Sequence, residues 1–197
     1  MPITGHGWEL LVTRLGLQSR GHETRTYSTY QAHRDGVAIA NLFGHICECP
    51  GPGDNAHSGN HKRVESGTYK LHTQFGRYRT MGYSTNLQVE ADPHMPGLLL
   101  LPTGHRSGIL IHPGHPPDRY LSSIGCFNPT KPLRHADEMD YFESRARVIA
   151  LIDSLHDFNP GAFQNNHSRI IAGATVVVDG EPMNVLPDPP PSEPLVV

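Results

Sequence analysis

Apolar residues in this chain come in short runs punctuated by Gly and Pro, and only one stretch carries them at helical spacing. The runs are 8–15, 68–73, 97–101, 107–112 and 174–178, bounded by Gly, Pro, Asn or Asp. Alternating or continuous apolar runs of this length suit strands that are buried on one or both faces. The helical stretch covers about 136–158, where Met139, Phe142, Ala146, Ile149, Ile152 and Leu155 recur every three or four residues and Asp, Glu and Arg fill the opposite face. Asp137 and Glu138 suit its positive N-terminal end, and Asn159-Pro160-Gly161 stops it. The pattern predicts a mainly β (α+β) domain with one long helix closing over one face of the sheet, the Met and aromatic stripe serving as core.

A length of 197 residues suffices for one domain with a single substantial core, assigned here to 1–180. The 20 Gly and 18 Pro stay below the level of a disordered chain, so they signal long loops. From Glu181 to Val197 the sequence is Pro-rich and reads as an extended tail. A net charge of -3 with mixed signs lacks the basic field of a nucleic-acid binder. No apolar run is long enough to span a bilayer, and the N-terminus lacks the charged and apolar segments of a classical export signal. The expected partners therefore include neither nucleic acid nor a membrane span, and the expected location is the producer's cytoplasm before any dedicated export.

Chemistry concentrates in 109–128. Ile109-Leu110-Ile111 is a buried-strand run that ends on His112, where an imidazole can be aimed. Pro113 to Tyr120 is too rich in Pro and Gly for regular structure and reads as a surface loop, and Cys126 follows Gly125. A thiol with an ordinary pKa of about 8.5 becomes a competent nucleophile when a neighbouring imidazole takes its proton. Cys126 is thus the candidate nucleophile and His112 its base. His105, Arg106, Arg119 and Tyr120, with Tyr78, Arg79 and Tyr83, are candidate substrate contacts, because Arg and aromatic side chains near such a site suit a carboxylated peptide.

Cys47 and Cys49 lie one residue apart in a stretch read as a loop that continues Pro50-Gly51-Pro52-Gly53. Their side chains point to opposite faces if the segment is extended, which disfavours a disulfide, and the spacing with His45, His57 and His61 matches no common zinc pattern. The expectation is ordinary loop thiols with no metal or other cofactor, in a loop placed to lid the cleft. The 14 His leave a rival reading as a metal-dependent wall hydrolase built on His94, His105, His112, His115 and Asp118, although paired His-x-His or His-Glu-x-x-His spacing is absent. A third reading is a non-catalytic binding module of a phage or secretion particle.

The segment Ser123-Ile124-Gly125-Cys126-Phe127-Asn128 resembles the signature of L,D-transpeptidase catalytic domains, in which a strand His precedes Ser/Thr-His-Gly-Cys-hydrophobic-Asn/Arg. Upstream, Gly67-Thr68-Tyr69-Lys70-Leu71 resembles the start of another strand of that family, and the two pieces stand in the family's order. The likeness covers about 60–130 and is stronger to a less characterised branch of phage- and secretion-associated bacterial domains. Ile124 stands where the family usually has His, and Glu65-Ser66 where Thr-Pro is common. The resemblance implies a β-sandwich or barrel of the L,D-transpeptidase kind. It also implies acyl transfer on peptidoglycan peptide stems, as carboxypeptidase, transpeptidase or D-amino-acid exchange enzyme. Cys126 is then the nucleophile, His112 the base and then acid, and Gly125 and Cys126 the sources of oxyanion N–H donors. Ser123 orients His112 or lines the cleft, and Asn128 bonds the loop or the substrate. A wall-type site without a classical signal points to an antibacterial effector exported by a dedicated route, with a secretion-machine component or an immunity protein as further partners.

Overall fold

The computed structural model describes residues 1–84, 94–164 and 167–188. Among the described residues there are ten strands: β1 Trp8–Arg20, β2 Glu23–Arg34, β3 Val37–Glu48, β4 Gly67–Thr73, β5 Tyr78–Arg79, β6 Met95–Pro96, β7 Leu98–Leu101, β8 Leu110–Ile111, β9 Asn128–Thr130 and β10 Ile170–Asp179. Eight form one sheet in the order β8-β7-β4-β10-β1-β2-β3-β9, and β5 pairs with β6 beside it. All neighbours in the large sheet are antiparallel except β1 and β10. The two edges of this sheet meet: Ile111 and Phe127 form a parallel bridge, so the sheet is a nearly closed barrel. Closure removes the unpaired edges that would otherwise be exposed.

Alternation fills the interior. Trp8, Leu10 and Val12 of β1, Tyr30 and Ala32 of β2, Ile46 of β3, Tyr69 and Leu71 of β4, Leu98 and Leu100 of β7, and Ala174, Val176 and Val178 of β10 belong to one buried cluster. Each large side chain fully buried there contributes about 1.5–3 kcal/mol. Helix α1, Tyr141–Phe158, adds Val148, Leu151, Ile152 and Leu155 to the same cluster. The Trp8 indole N–H donates to Ser154 Oγ across 3.0 Å and ties the helix to β1.

The sequence pattern starts this helix five residues too early and ends it at the observed Phe158. Asp140 is its N-cap, accepting from the Glu143 N–H, and Asp118 Oδ1 accepts from the Tyr141 N–H. Met139 lies before the helix, in a second small cluster with Tyr27, Cys47 and Leu133. The buried stripe is Tyr141, Ser144, Val148, Leu151, Ile152 and Leu155, whereas Phe142 is 62% exposed. Among the described residues no helix is long and apolar enough to cross a membrane.

The sequence reading did not include β2 and β3, and Cys47 falls in β3 instead of a loop, with Cys49 just beyond its end. The extended segment read from 181 makes contacts with the barrel over its first eight residues. Glu181 pairs with Arg14 and Arg63, Val185 bridges Leu17, Leu186 N–H donates to Leu17 O, and Asp188 accepts from the His135 N–H. Residues 181–188 are thus docked on the barrel, while 189–197 lie outside the described residues.

Candidate active site

The barrel seam builds the site. Phe127 N–H donates to Leu110 O at 2.8 Å and His112 N–H donates to Phe127 O at 3.0 Å, which fixes the register of the two segments. Ile111 and Phe127 point into the core, so period-two alternation turns Leu110, His112 and Cys126 to the other side. Leu110, His112 and Cys126 accordingly line one cleft of about 390 Å³, together with Tyr78, His115, Arg119, Ser122, Ser123 and Ile124. Burial of two apolar side chains at the seam thereby turns a thiol and an imidazole into the same cleft.

His112 is 2% exposed, and its Nδ1 lies 2.6 Å from Pro113 O. Two acceptors at that distance would repel, so Nδ1 carries the proton and Nε2 is the nitrogen left for proton transfer. Burial pushes the imidazole pKa down to about 3, against the opposing pull of the Pro113 carbonyl, and His115 lowers it further. The ring is neutral at ordinary pH. Tyr78 covers it at 4.4 Å between ring centres, and Tyr78 Oη meets His115 Nε2 at 2.5 Å. Burial raises the Tyr78 hydroxyl and lowers the His115 imidazole, so both are neutral as well.

Cys126 is partly buried, and its Sγ accepts the Leu110 N–H at 3.3 Å and approaches Gly108 O at 3.5 Å. Desolvation raises its pKa, while the Leu110 N–H and the Arg106 charge oppose this. The resting pair is therefore thiol and neutral imidazole. Around it the loop is held from behind. Cys49 Sγ donates to Ser123 O at 3.2 Å, and Arg106 donates to Ile124 O at 3.3 Å and to Asp54 O at 3.1 Å. Gly125 has φ +140, and a Cβ there would fall on the Arg106 guanidinium. Only Gly allows this approach.

Several expected roles change place. Ser123 lines the cleft, but its hydroxyl is closed on the Cys126 backbone, accepting from N–H at 3.0 Å and donating to O at 2.9 Å, so it shapes the turn and does not orient His112. The Cys126 N–H is consequently occupied, and of the two proposed oxyanion donors only Gly125 N–H makes no hydrogen bond among the described residues. Asn128 is fully buried behind the cleft and donates to His112 O at 3.0 Å, so its amide holds the His112 backbone and does not line the cleft. Of the candidate substrate contacts, Arg119 and Tyr78 line the cleft. Arg106 is buried against the nucleophile loop, and His105 is exposed elsewhere. Tyr120 is buried under the guanidinium groups of Arg20 and Arg25, at 4.6 and 4.1 Å, because cation–π stacking outweighs exposure of its ring.

Two supporting residues escaped the sequence reading. Ser144 of α1 accepts the Gly114 N–H at 3.0 Å and donates to Pro129 O at 2.5 Å, joining the helix to both segments of the seam. Its signal was a polar residue on the apolar stripe, three positions after Tyr141. Cys49 is the other, and no sequence signal linked it to Ser123. Both Cys47 and Cys49 are buried, which raises their thiols to about 11 and about 12, so neither is a nucleophile at neutral pH.

The histidines of the metal reading do not converge. Among the described residues no group of three or more His, Cys, Asp or Glu side chains is placed to hold a metal ion, and Asp118 caps α1. His112 and His115 are neighbours at 5.5 Å between ring centres. Scanned against known protein families the chain matches none, and searches of curated proteins and of solved structures likewise find no match.

Proposed function

We propose that the protein is a cysteine acyl-transfer enzyme of the L,D-transpeptidase kind, acting on peptidoglycan peptide stems. One observation carries this reading: the Ile111 to Phe127 seam turns Cys126 and a tautomer-fixed His112 into the same cleft. A thiol and an imidazole lining one cleft, with the imidazole tautomer fixed by a backbone carbonyl, support a reading in which His112 takes the Cys126 proton once substrate is bound. In the forward step Cys126 Sγ attacks the stem carbonyl and its proton passes to His112 Nε2. The C–N bond then breaks, the proton leaves with the amine, and a thioester remains on Cys126. Water as second acceptor gives carboxypeptidase action, and an amine gives a cross-link or D-amino-acid exchange. Gly125 N–H, which makes no hydrogen bond among the described residues, is the backbone donor offered to the developing oxyanion.

Arg119 at the rim supplies a cation for a carboxylated stem. The wall substrate lies outside the producer's cytoplasm, which makes delivery as an antibacterial effector part of the same proposal. The test is mass spectrometry of purified tetrapeptide and pentapeptide muropeptides after incubation with the wild-type protein and with Cys126→Ala, with and without added D-amino acid. Removal or exchange of a terminal residue only with Cys126 present supports the proposal. Unchanged stems in every arm overturn it.

A further inference from the structure

A second concavity, sharing no lining residue with the Cys126 cleft, lies on the outer face of β1, β2 and β3. Its volume is about 480 Å³, within the range of small-ligand sites. Register explains its chemistry. Thr13 stands opposite Thr29, and Thr29 opposite His45, giving a polar row across three strands. Two residues along, Leu11 stands opposite Gln31 and Gln31 opposite Phe43, giving a second row. Directly opposed residues share a face, so these six side chains form one two-by-three grid pointing outward. Asn41, Pro132 and Arg147 complete the walls.

The grid offers hydrogen bonds without free charge. Among the described residues, the hydroxyls of Thr13 and Thr29, the Asn41 amide and Gln31 Oε1 make no hydrogen bond, while Gln31 Nε2 is fixed on the carbonyls of Ala32 and Ile39. His45 stacks on Tyr27 at 4.9 Å, has a buried Nδ1 without a partner, and is held neutral by burial and by Arg147. Among the described residues Arg147 is the one Lys or Arg of the lining, and it is engaged by Glu143, by Tyr30 Oη at 3.4 Å and by Phe43 O at 3.0 Å. Among the described residues no carboxylate lines the concavity. Phe43, 59% exposed, stands with Leu11 and Pro132 as apolar surface beside these neutral groups.

From this grid we infer a carbohydrate-binding site. A pyranose presents hydroxyls around its edge and C–H groups on its face, and the concavity supplies donors and acceptors for the first and Phe43, Leu11 and Pro132 for the second. Charged ligands find no free opposite charge there. The site is independent of the acyl-transfer chemistry and stands or falls without it.

The test is a titration of the 15N-labelled full chain with an N-acetylglucosamine tetramer and, separately, with maltotetraose. The expected result is saturable amide shifts at Thr13, Thr29, Gln31 and Phe43 with at least one sugar, the two arms separating an amino-sugar glycan from a glucan. Phe43→Ala and Thr29→Val, checked for a wild-type fingerprint spectrum, each weaken binding about tenfold. Absence of saturable shifts with both sugars, shifts confined to the Cys126 cleft, or well-folded variants that bind as wild type overturn the inference.

Discussion

Asn128 donates its side-chain amide to the carbonyl of His112 at 3.0 Å and comes within 3.4 Å of the Pro113 carbonyl, so His112 is anchored from the strand that follows Cys126. Its Oδ1 is buried without a partner, which makes the amide's donor side the source of its value. Replacement by Ala leaves the His112 carbonyl unpaired, a loss of about 1–3 kcal/mol. Asn128→Ala is expected to lower the unfolding free energy by that amount and to reduce muropeptide turnover at least tenfold. Chemical denaturation and turnover measured on the same preparation check both.

The neutral resting pair makes a kinetic prediction. With His112 near 3 and the Cys126 thiol raised, the thiolate is not formed in advance by an imidazolium. Alkylation of Cys126 by iodoacetamide should therefore rise steadily from pH 6 to 9, tracked by peptide mass spectrometry. A rate already flat near pH 6 would reveal a preformed ion pair and contradict the geometry. Cys47 and Cys49 should stay unmodified until the chain unfolds.

Stability must also respond to His112. Its folded pKa lies below the unfolded value of about 6.5, so the unfolded chain binds the proton first as pH falls. The contribution of a neutral His112 is complete above about 6.5 and declines towards about 3, at up to roughly 1.4 kcal/mol per pH unit. Several other groups have the same sign, including His45, His72 and His115. Comparing wild type with His112→Asn isolates the one residue. The variant should show the shallower decline in unfolding free energy between pH 6.5 and 4, and equal slopes would rule the buried neutral imidazole out.

How far the sequence reveals this molecule depends on how local each determinant is. The apolar run 109–111 and the Gly-Cys pair are local, so the strand that carries His112 and the turn that carries Cys126 could be read directly. Strands β2 and β3 could not, because their buried positions include Arg25, Thr26, Ser28 and Glu48 while Val37 and Phe43 are exposed. Those buried polar groups are satisfied by partners distant in the chain: Arg14 for Glu48, and the carbonyls of Tyr120, Arg134 and Asp137 for Arg25. Hydropathy has no access to such pairings. Proximity in sequence likewise misled for His105 and Tyr120, since a loop bends where its side chains find partners.

Ser144 tests whether the helix sets the seam. It holds Gly114 N–H and Pro129 O together, and both become unpaired in Ser144→Ala. The expected cost is about 1–3 kcal/mol, with a matching fall in turnover, because Gly114 follows His112 by two residues and Pro129 follows Cys126 by three. Ser144→Thr restores the hydroxyl and should recover part of the activity if its methyl group is accommodated. Loss of stability with unchanged turnover would separate the helix from the site.

Tyr78 distinguishes shielding from proton relay. Its ring covers His112, and its hydroxyl reaches His115. Tyr78→Phe keeps the cover and removes the hydroxyl, whereas Tyr78→Ala opens His112 to water. Because desolvation is the largest cause of the depressed His112 pKa, Tyr78→Ala should raise that pKa towards the ordinary imidazole value, read from the ring C–H chemical shift during a pH titration. Tyr78→Phe should leave it nearly unchanged and retain turnover within about threefold, while the Ala variant loses tenfold or more by admitting water to the base. If the Phe variant loses as much turnover as Ala while His112 titrates as in wild type, the Tyr78 hydroxyl, and with it His115, takes part in moving the proton, and the ring is not the reason Tyr78 stands there.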